Sequence, residues 1–273
     1  MTEADLPFAD LLRSVAGWNQ TLNDWKRLMA LNPDGCFVAE WNGTNAGTVT
    51  TTIYAQGLAW IGMVLVHPDF RRRGIGRALL QYAIEHLHTC GVKCIKLDAT
   101  PEGLPLYQQF GFQQEWTLQR WQRDHSRPQS PKDQPQVTFP DLNKVFSMDA
   151  ASFGASRQPW LASLLADCVR LEVSTTRGSL NGFGVLREGT RAAYMGPMVV
   201  NGTDSARAIL NALLEHVSQN QVFWDIPDQN GAAVDLAREL QFTPQRQLAR
   251  MYLGANTPAR TELLFGIGGP EVG

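Results

Sequence analysis

Apolar positions recur along the chain in two rhythms. Leu22, Trp25, Leu28 and Met29 fall at three- and four-residue spacing, which predicts a helix over residues 21–30. Residues 37–41 and 48–54 are rich in β-branched and aromatic side chains and are separated by Asn42-Gly43 and Gly47, which predicts a hairpin. Residues 58–66, Leu-Ala-Trp-Ile-Gly-Met-Val-Leu-Val, are apolar almost throughout, as expected of a central strand covered on both faces. An amphipathic helix follows, with Ala78, Leu79, Tyr82, Ala83 and Leu87 on one stripe. A strand over 92–97, a short helix over 104–110 and a last strand over 112–121 complete an α/β pattern.

The pattern then repeats. Leu97-Asp98, Gly111-Phe112 and Arg120-Trp121 match Trp224-Asp225, Gln241-Phe242 and Arg250-Met251. From Phe to Arg is 8 residues in both copies, whereas from Asp to Phe is 14 in the first and 17 in the second, so that one loop has lengthened. Residues 192–200 resemble the central strand, and 206–217, with Ile209, Leu210, Leu213, Leu214 and Val217, resemble the amphipathic helix. The expected organisation is therefore a tandem repeat of one α/β fold. Between the copies, residues 123–136 hold three prolines and no aliphatic or aromatic side chain, which predicts a linker between domains at 1–122 and 137–273.

Composition narrows the function. The net charge of −2 supplies no general field for a polyanion, which disfavours a nucleic-acid partner. No apolar run approaches the ~20 residues of a membrane-spanning helix, and the opening residues lack a basic segment before a long apolar one. A cytoplasmic monomer or homodimer, without membrane contact, is the expectation. Cys36, Cys90, Cys94 and Cys168 have poor metal spacing and are expected to be buried free thiols, with no metal bound.

The candidate chemistry sits where the central strand meets the helix, in Val64-Leu-Val-His-Pro-Asp-Phe-Arg-Arg-Arg-Gly-Ile-Gly-Arg77. Gly74 and Gly76 bare the backbone where a helix begins, and the helix dipole adds about half a positive charge there. Arg71, Arg72, Arg73 and Arg77 surround that point, and guanidinium forks match phosphate oxygens. A P-loop is absent, since no G-x4-G-K-[ST] occurs. A dinucleotide fingerprint stays an alternative: Asp98 lies about 20 residues on, but Leu79 stands where its third glycine belongs.

The Arg-x-x-Gly-x-Gly turn after this strand, followed by Tyr107-Gln-Gln-Phe-Gly111-Phe112, resembles the GCN5-related N-acetyltransferase (GNAT) superfamily. The tandem arrangement, with Leu97-Asp-Ala-Thr-Pro-Glu-Gly103 and Tyr194-Met-Gly-Pro197, is similar to a bacterial two-domain subgroup. The resemblance implies a mixed, mostly antiparallel central sheet flanked by helices, in two copies, the second degenerate. It implies acetyl-CoA as acyl donor, with Val64, Leu65 and Val66 pairing to the pantetheine arm and Arg71, Arg72, Arg73, Gly74, Ile75, Gly76 and Arg77 on the pyrophosphate. Tyr107 is then the general acid for the departing thiolate. Thr100 stands where many relatives have Asn.

Acyl transfer also requires oxyanion stabilisation, which the resemblance assigns to a backbone N–H near Val64 or Leu65, and loss of a proton from the amine. No carboxylate or histidine lies within residues 60–66, where many relatives place a base. Glu40 and Asp98 are candidates, and a water chain or no dedicated base stays open. The second copy has no arginine turn, has Asp204 at its helix start and has Ala237 in place of Tyr107, so one cofactor site is expected, in the first domain. Phe153, Arg157, Tyr194, Trp224 and Asp225 are candidates on the acceptor side. The Gly-rich stretch 263–270 either folds over the acceptor cleft or lies as a surface tail. The implied reaction is direct attack by a small-molecule amine in a ternary complex. The alternative is a non-catalytic binding module that responds to acyl-CoA.

Overall fold

The chain begins with two short helices, α1 (Leu6–Val15) and α2 (Leu22–Leu31). The second starts at Thr21, whose hydroxyl accepts from Asp24 N while the Asp24 carboxylate accepts from Thr21 N at 2.8 Å, a reciprocal cap. The hairpin β1 (Cys36–Trp41) and β2 (Thr44–Ile53) leads to β3 (Leu58–Val66), α3 (Ile75–Thr89), β4 (Cys94–Ala99), α4 (Leu104–Gln109) and β5 (Gln113–Asp124). The second copy runs α5 (Leu142–Phe153), α6 (Gln158–Asp167), β6 (Arg170–Thr176), β7 (Ser179–Arg187), β8 (Ala193–Val200), α7 (Thr203–Leu214), β9 (Gln221–Pro227), α8 (Gly231–Glu239), β10 (Thr243–Gly254) and β11 (Leu264–Gly266). This computed structural model describes residues 1–125 and 141–273. The expected linker at 123–136 lies mostly outside them, and Arg123 and Asp124 belong to β5.

Two compact units are present, and neither is a continuous half of the chain. The first comprises Met1–Glu115, Arg250–Asn256 and Pro270–Gly273, and the second Trp116–Ala249 and Thr257–Gly269. Each copy therefore gives most or part of its last strand to the other unit. In the first unit the strand order is β1-β2-β3-β4-β10, and in the second it is β5-β9-β8-β7-β6 with β11 on β8. Within each unit, among the registered pairs, one is parallel, β3 with β4 and β8 with β9, and the others are antiparallel.

The exchange gives the repeated Asp and Arg their meaning. In the first unit Arg250 binds Asp98 through Nε and Nη2, both at 2.8 Å, and its guanidinium lies 4.5 Å from the Trp60 ring centroid. In the second unit Arg120 binds Asp225 through Nε at 2.7 Å and Nη2 at 2.6 Å. Each buried carboxylate is thus held by the arginine of the opposite repeat. Both oxygens are satisfied, as a buried charge requires.

Residues 263–270 form neither a flap nor a surface tail. β11 pairs with β8, and Phe265 and Ile267 are buried. The following residues belong to the first unit, where Pro270 O accepts from Trp60 Nε1 and Val272 O from the Tyr54 hydroxyl, each at 2.9 Å. Of the cysteines, Cys36 and Cys94 are buried, whereas Cys90 is exposed and Cys168 half-buried, so burial was expected for too many of them. No helix among the described residues is long and apolar enough to cross a membrane.

Candidate active site

The site in the first unit begins with a fault in β3. Thr48 pairs with Leu65 and Thr50 with Gly62, so two steps on β2 face three on β3. The surplus is taken up around Met63, whose φ of 51° is strained for a side chain with a Cβ. The Thr48 hydroxyl fixes the bulge by donating to Met63 O at 2.9 Å. A bulge of this kind leaves one residue out of the ladder, between Gly62 and Leu65.

On its other side β3 loses its partner. The parallel register with β4 covers Leu58, Ala59 and Trp60 against Cys94, Ile95 and Lys96, and no register continues to Val66. The expected pantetheine-pairing residues, Val64, Leu65 and Val66, lie on this free stretch. Here the chain presents a strand edge to which an extended amide-bearing arm can add.

The edge runs into the arginine turn. Gly74 caps α3 at φ 80°, a conformation that disfavours any Cβ, and a Cβ at Gly76 would meet little but Val66 Cγ2 at 3.6 Å. None of the backbone N–H groups of Arg72, Arg73, Gly74, Ile75, Gly76 and Arg77 has a hydrogen-bond partner among the described residues. Such a row of donors at a helix start is an anion seat. The guanidinium groups play different parts. Arg71 Nε reaches Val66 O at 3.4 Å, Arg73 lies 5.7 Å from the Trp41 ring and 5.8 Å from that of Phe70, and Arg77 lies 4.9 Å from the Phe110 ring and donates to Gln109. Arg72 is exposed and makes no hydrogen bond or ion pair among the described residues, which leaves it free for a phosphate.

Tyr107 sits on α4, preceded by a turn in which Thr100 Oγ1 accepts from Gly103 N at 3.2 Å. Gly103 makes room for the ring, since a Cβ there would lie 2.9 Å from Tyr107 Cε2. The phenol is buried, with Phe112 edge-on at 6.0 Å, and its hydroxyl has no hydrogen-bond partner among the described residues. Burial pushes its pKa up to about 12. It is therefore neutral at any physiological pH and able to donate a proton.

The acceptor-side expectations fare differently. Glu40 is exposed on β1. Asp98 is bound on both oxygens by Arg250 and is a structural partner rather than a free base. Tyr194, Trp224 and Asp225 are buried: Tyr194 donates to Asp225 at 3.1 Å, and Trp224 Nε1 donates to Phe265 O at 2.9 Å. Arg157 is buried on Asp149, its guanidinium 4.0 Å from the Phe153 ring and 4.6 Å from that of Trp160. These residues belong to the second unit's interior.

Sequence reasoning missed Glu271. Its backbone packs against Gly62, where a Cβ would lie 2.5 Å from Glu271 O and 3.0 Å from its Cα. Glu271 is buried, and Gln20 Nε2 donates to Oε2 at 2.6 Å. The C-terminal segment thus sets the backbone of a buried glutamate against the strand stretch that carries no carboxylate of its own. Nothing in Gly-Gly-Pro-Glu announces it, because the contact spans more than two hundred residues.

A bulged strand edge that ends in a glycine-arginine helix start, repeated in degenerate form, defines a tandem acyltransferase fold. The chain belongs to the GCN5-related N-acetyltransferase superfamily. The acetyltransferase (GNAT) family matches residues 8–112, and the acetyltransferase (GNAT) domain matches residues 145–266. The chain is 26% identical over 214 residues to the uncharacterized N-acetyltransferase YitH of Bacillus subtilis, covering 77% of this chain and 75% of the relative. A candidate acetyltransferase from Pyrococcus horikoshii shares the fold at TM-score 0.82 and 22% identity over 100% of this chain and 94% of that one. A tandem GNAT protein from the clavulanic acid biosynthesis pathway shares it at TM-score 0.62 and 18% identity, over 92% and 94%.

Proposed function

We propose that the first unit transfers an acetyl group from acetyl-CoA to the amine of a small molecule, by direct attack with both substrates bound. The observation that carries this reading is the free edge of β3, bulged at Met63 and continuous with the unpaired N–H groups of residues 72–77. The edge matches the amides of a pantetheine arm, and the turn matches a pyrophosphate.

In this reading a backbone N–H released by the bulge stabilises the oxyanion as the amine adds. Tyr107, kept neutral by burial, gives its proton to the departing thiolate. Glu271, oriented by Gln20, accepts the proton of the incoming ammonium. No cysteine lies in the turn or beside Tyr107, which favours direct attack over a covalent relay.

The test follows free-thiol release from acetyl-CoA across a panel of amines. Tyr107→Phe is expected to lower kcat by about 100-fold with acetyl-CoA affinity nearly unchanged. Undiminished turnover removes Tyr107 from the chemistry. Binding of acetyl-CoA without thiol release for any amine makes the chain a binding module instead.

A further inference from the structure

One sheet face of the second unit gathers arginines around aromatic rings and one buried carboxylate, Asp225. Register sets Arg120 opposite Asp225, and sets Tyr194 opposite both Phe223 and Arg187. Phe223 and Asp225 are two residues apart on β9 and share a face. Contacts agree with the register. The Arg120 guanidinium lies 5.0 Å from the Phe223 ring and 5.9 Å from that of Tyr194, and Arg187 lies 4.5 Å from the Tyr194 ring.

Asp225 is already engaged by Arg120 and by the Tyr194 hydroxyl. Two further guanidinium groups act on the same cluster, those of Arg246 on β10 and of Arg191 before β8. Arg246 is half-buried, its Nε is buried with no hydrogen-bond partner, and it forms no ion pair among the described residues. Arg187 Nε also lacks a hydrogen-bond partner, but Arg187 donates through Nη2 to Gly268 O at 3.0 Å, whereas Arg246 makes no hydrogen bond among the described residues. A guanidinium offers donors and no acceptor, so an oxygen anion is the group that would satisfy it.

We propose that Arg246 is the seat of an oxyanion-binding site in the second unit, taking the carboxylate or phosphate group of a small molecule, with Arg191 at its rim and Arg120 behind it. Burial, and then the neighbouring Arg120, push the Arg246 pKa down to about 10. The folded chain therefore holds this charge less readily than the unfolded chain does, which an anion would correct. The site is independent of the acyl-transfer reading, because every residue of the arginine turn belongs to the first unit.

The experiment melts the full chain in a zwitterionic buffer of low ionic strength, with and without inorganic phosphate or acetate. At about 100 times the dissociation constant, the anion is expected to raise the Tm of the parent protein by roughly 5 °C. Arg246→Met should lose that rise, yet be at least as stable as the parent without anion. Arg246→Lys should keep part of the rise, and Arg238→Met, at an exposed position on α8 outside both sites, should leave it intact. A rise with phosphate alone identifies a phosphate site, and a rise with acetate alone a carboxylate site. The proposal is overturned by an equal rise in parent and Arg246→Met, by no rise with either anion, or by an Arg246→Met chain that is already unstable without anion.

Discussion

Along β3 of the first unit the edge beyond Trp60 is free, whereas along β8 of the second unit the equivalent edge carries β11. The repeat equates Val64, Leu65 and Val66 with Met198, Val199 and Val200. β11 pairs Leu264 with Val199 and Gly266 with Met198, while Val200 N donates to Leu263 O at 2.9 Å. The backbone stretch assigned to the donor's arm in one copy is occupied by the chain itself in the other. Other losses in the second unit fit this. Its strand keeps a bulge, but Pro197 stands at the position of Met63 and has no N–H, and α7 is capped by Gly202 and carries acidic Asp204 in its first turn. The bulge and splay therefore belong to the fold, whereas the ability to hold a donor depends on what is added to that edge and that helix start.

The units should be most alike in their buried ion pairs. Arg250→Met and Arg120→Met each strand a buried carboxylate, and each is expected to destabilise the chain by about 3–5 kcal/mol in denaturant titrations. A large loss for one and none for the other would break the equivalence that the repeat implies.

They should be least alike toward the donor. Calorimetry is expected to find one acetyl-CoA per chain, and Arg72→Glu should weaken it by about tenfold or more, the order of one charge-assisted hydrogen bond. Two equivalents would mean that β11 leaves its place on β8, and would end the contrast drawn above.

Much of this was legible in the sequence. The central strand, the arginine turn and the short helix bearing Tyr107 are local patterns whose physics lies within a few residues, and they fold as their spacing predicts. The repeat was legible too, through Asp98 and Arg120 matching Asp225 and Arg250. Its partnership was not, because spacing records which positions recur and not which copy a strand joins. Asp98 read as a candidate base for that reason, and Tyr194, Trp224 and Asp225 as candidate contacts. Helix α1 escaped notice in a stretch that carries little of the family pattern, although Leu6, Ala9 and Leu12 bury one face of it. Glu271 and β11 were hidden because their partners lie far away in sequence.

The smallest expected effect is the most specific to the first unit. Tyr107 is needed as the phenol, and burial holds its pKa near 12 rather than 10. The acyl-transfer rate should consequently show no descending limb from this residue up to about pH 10.5, where a solvated phenol would already be mostly ionised. For stability the sign runs the same way. A folded pKa raised above the unfolded one gives a contribution that is intact below pH 10 and lost as the pH climbs toward 12. Tyr107→Phe should flatten that loss, as read from denaturant midpoints at pH 9 and pH 11. Ala237 occupies the matching place in the second unit and is buried there without a titrating group. Ala237→Ser should accordingly leave the alkaline profile unchanged, and a rate that falls with a midpoint near pH 10 in the parent would mean that the Tyr107 hydroxyl meets water.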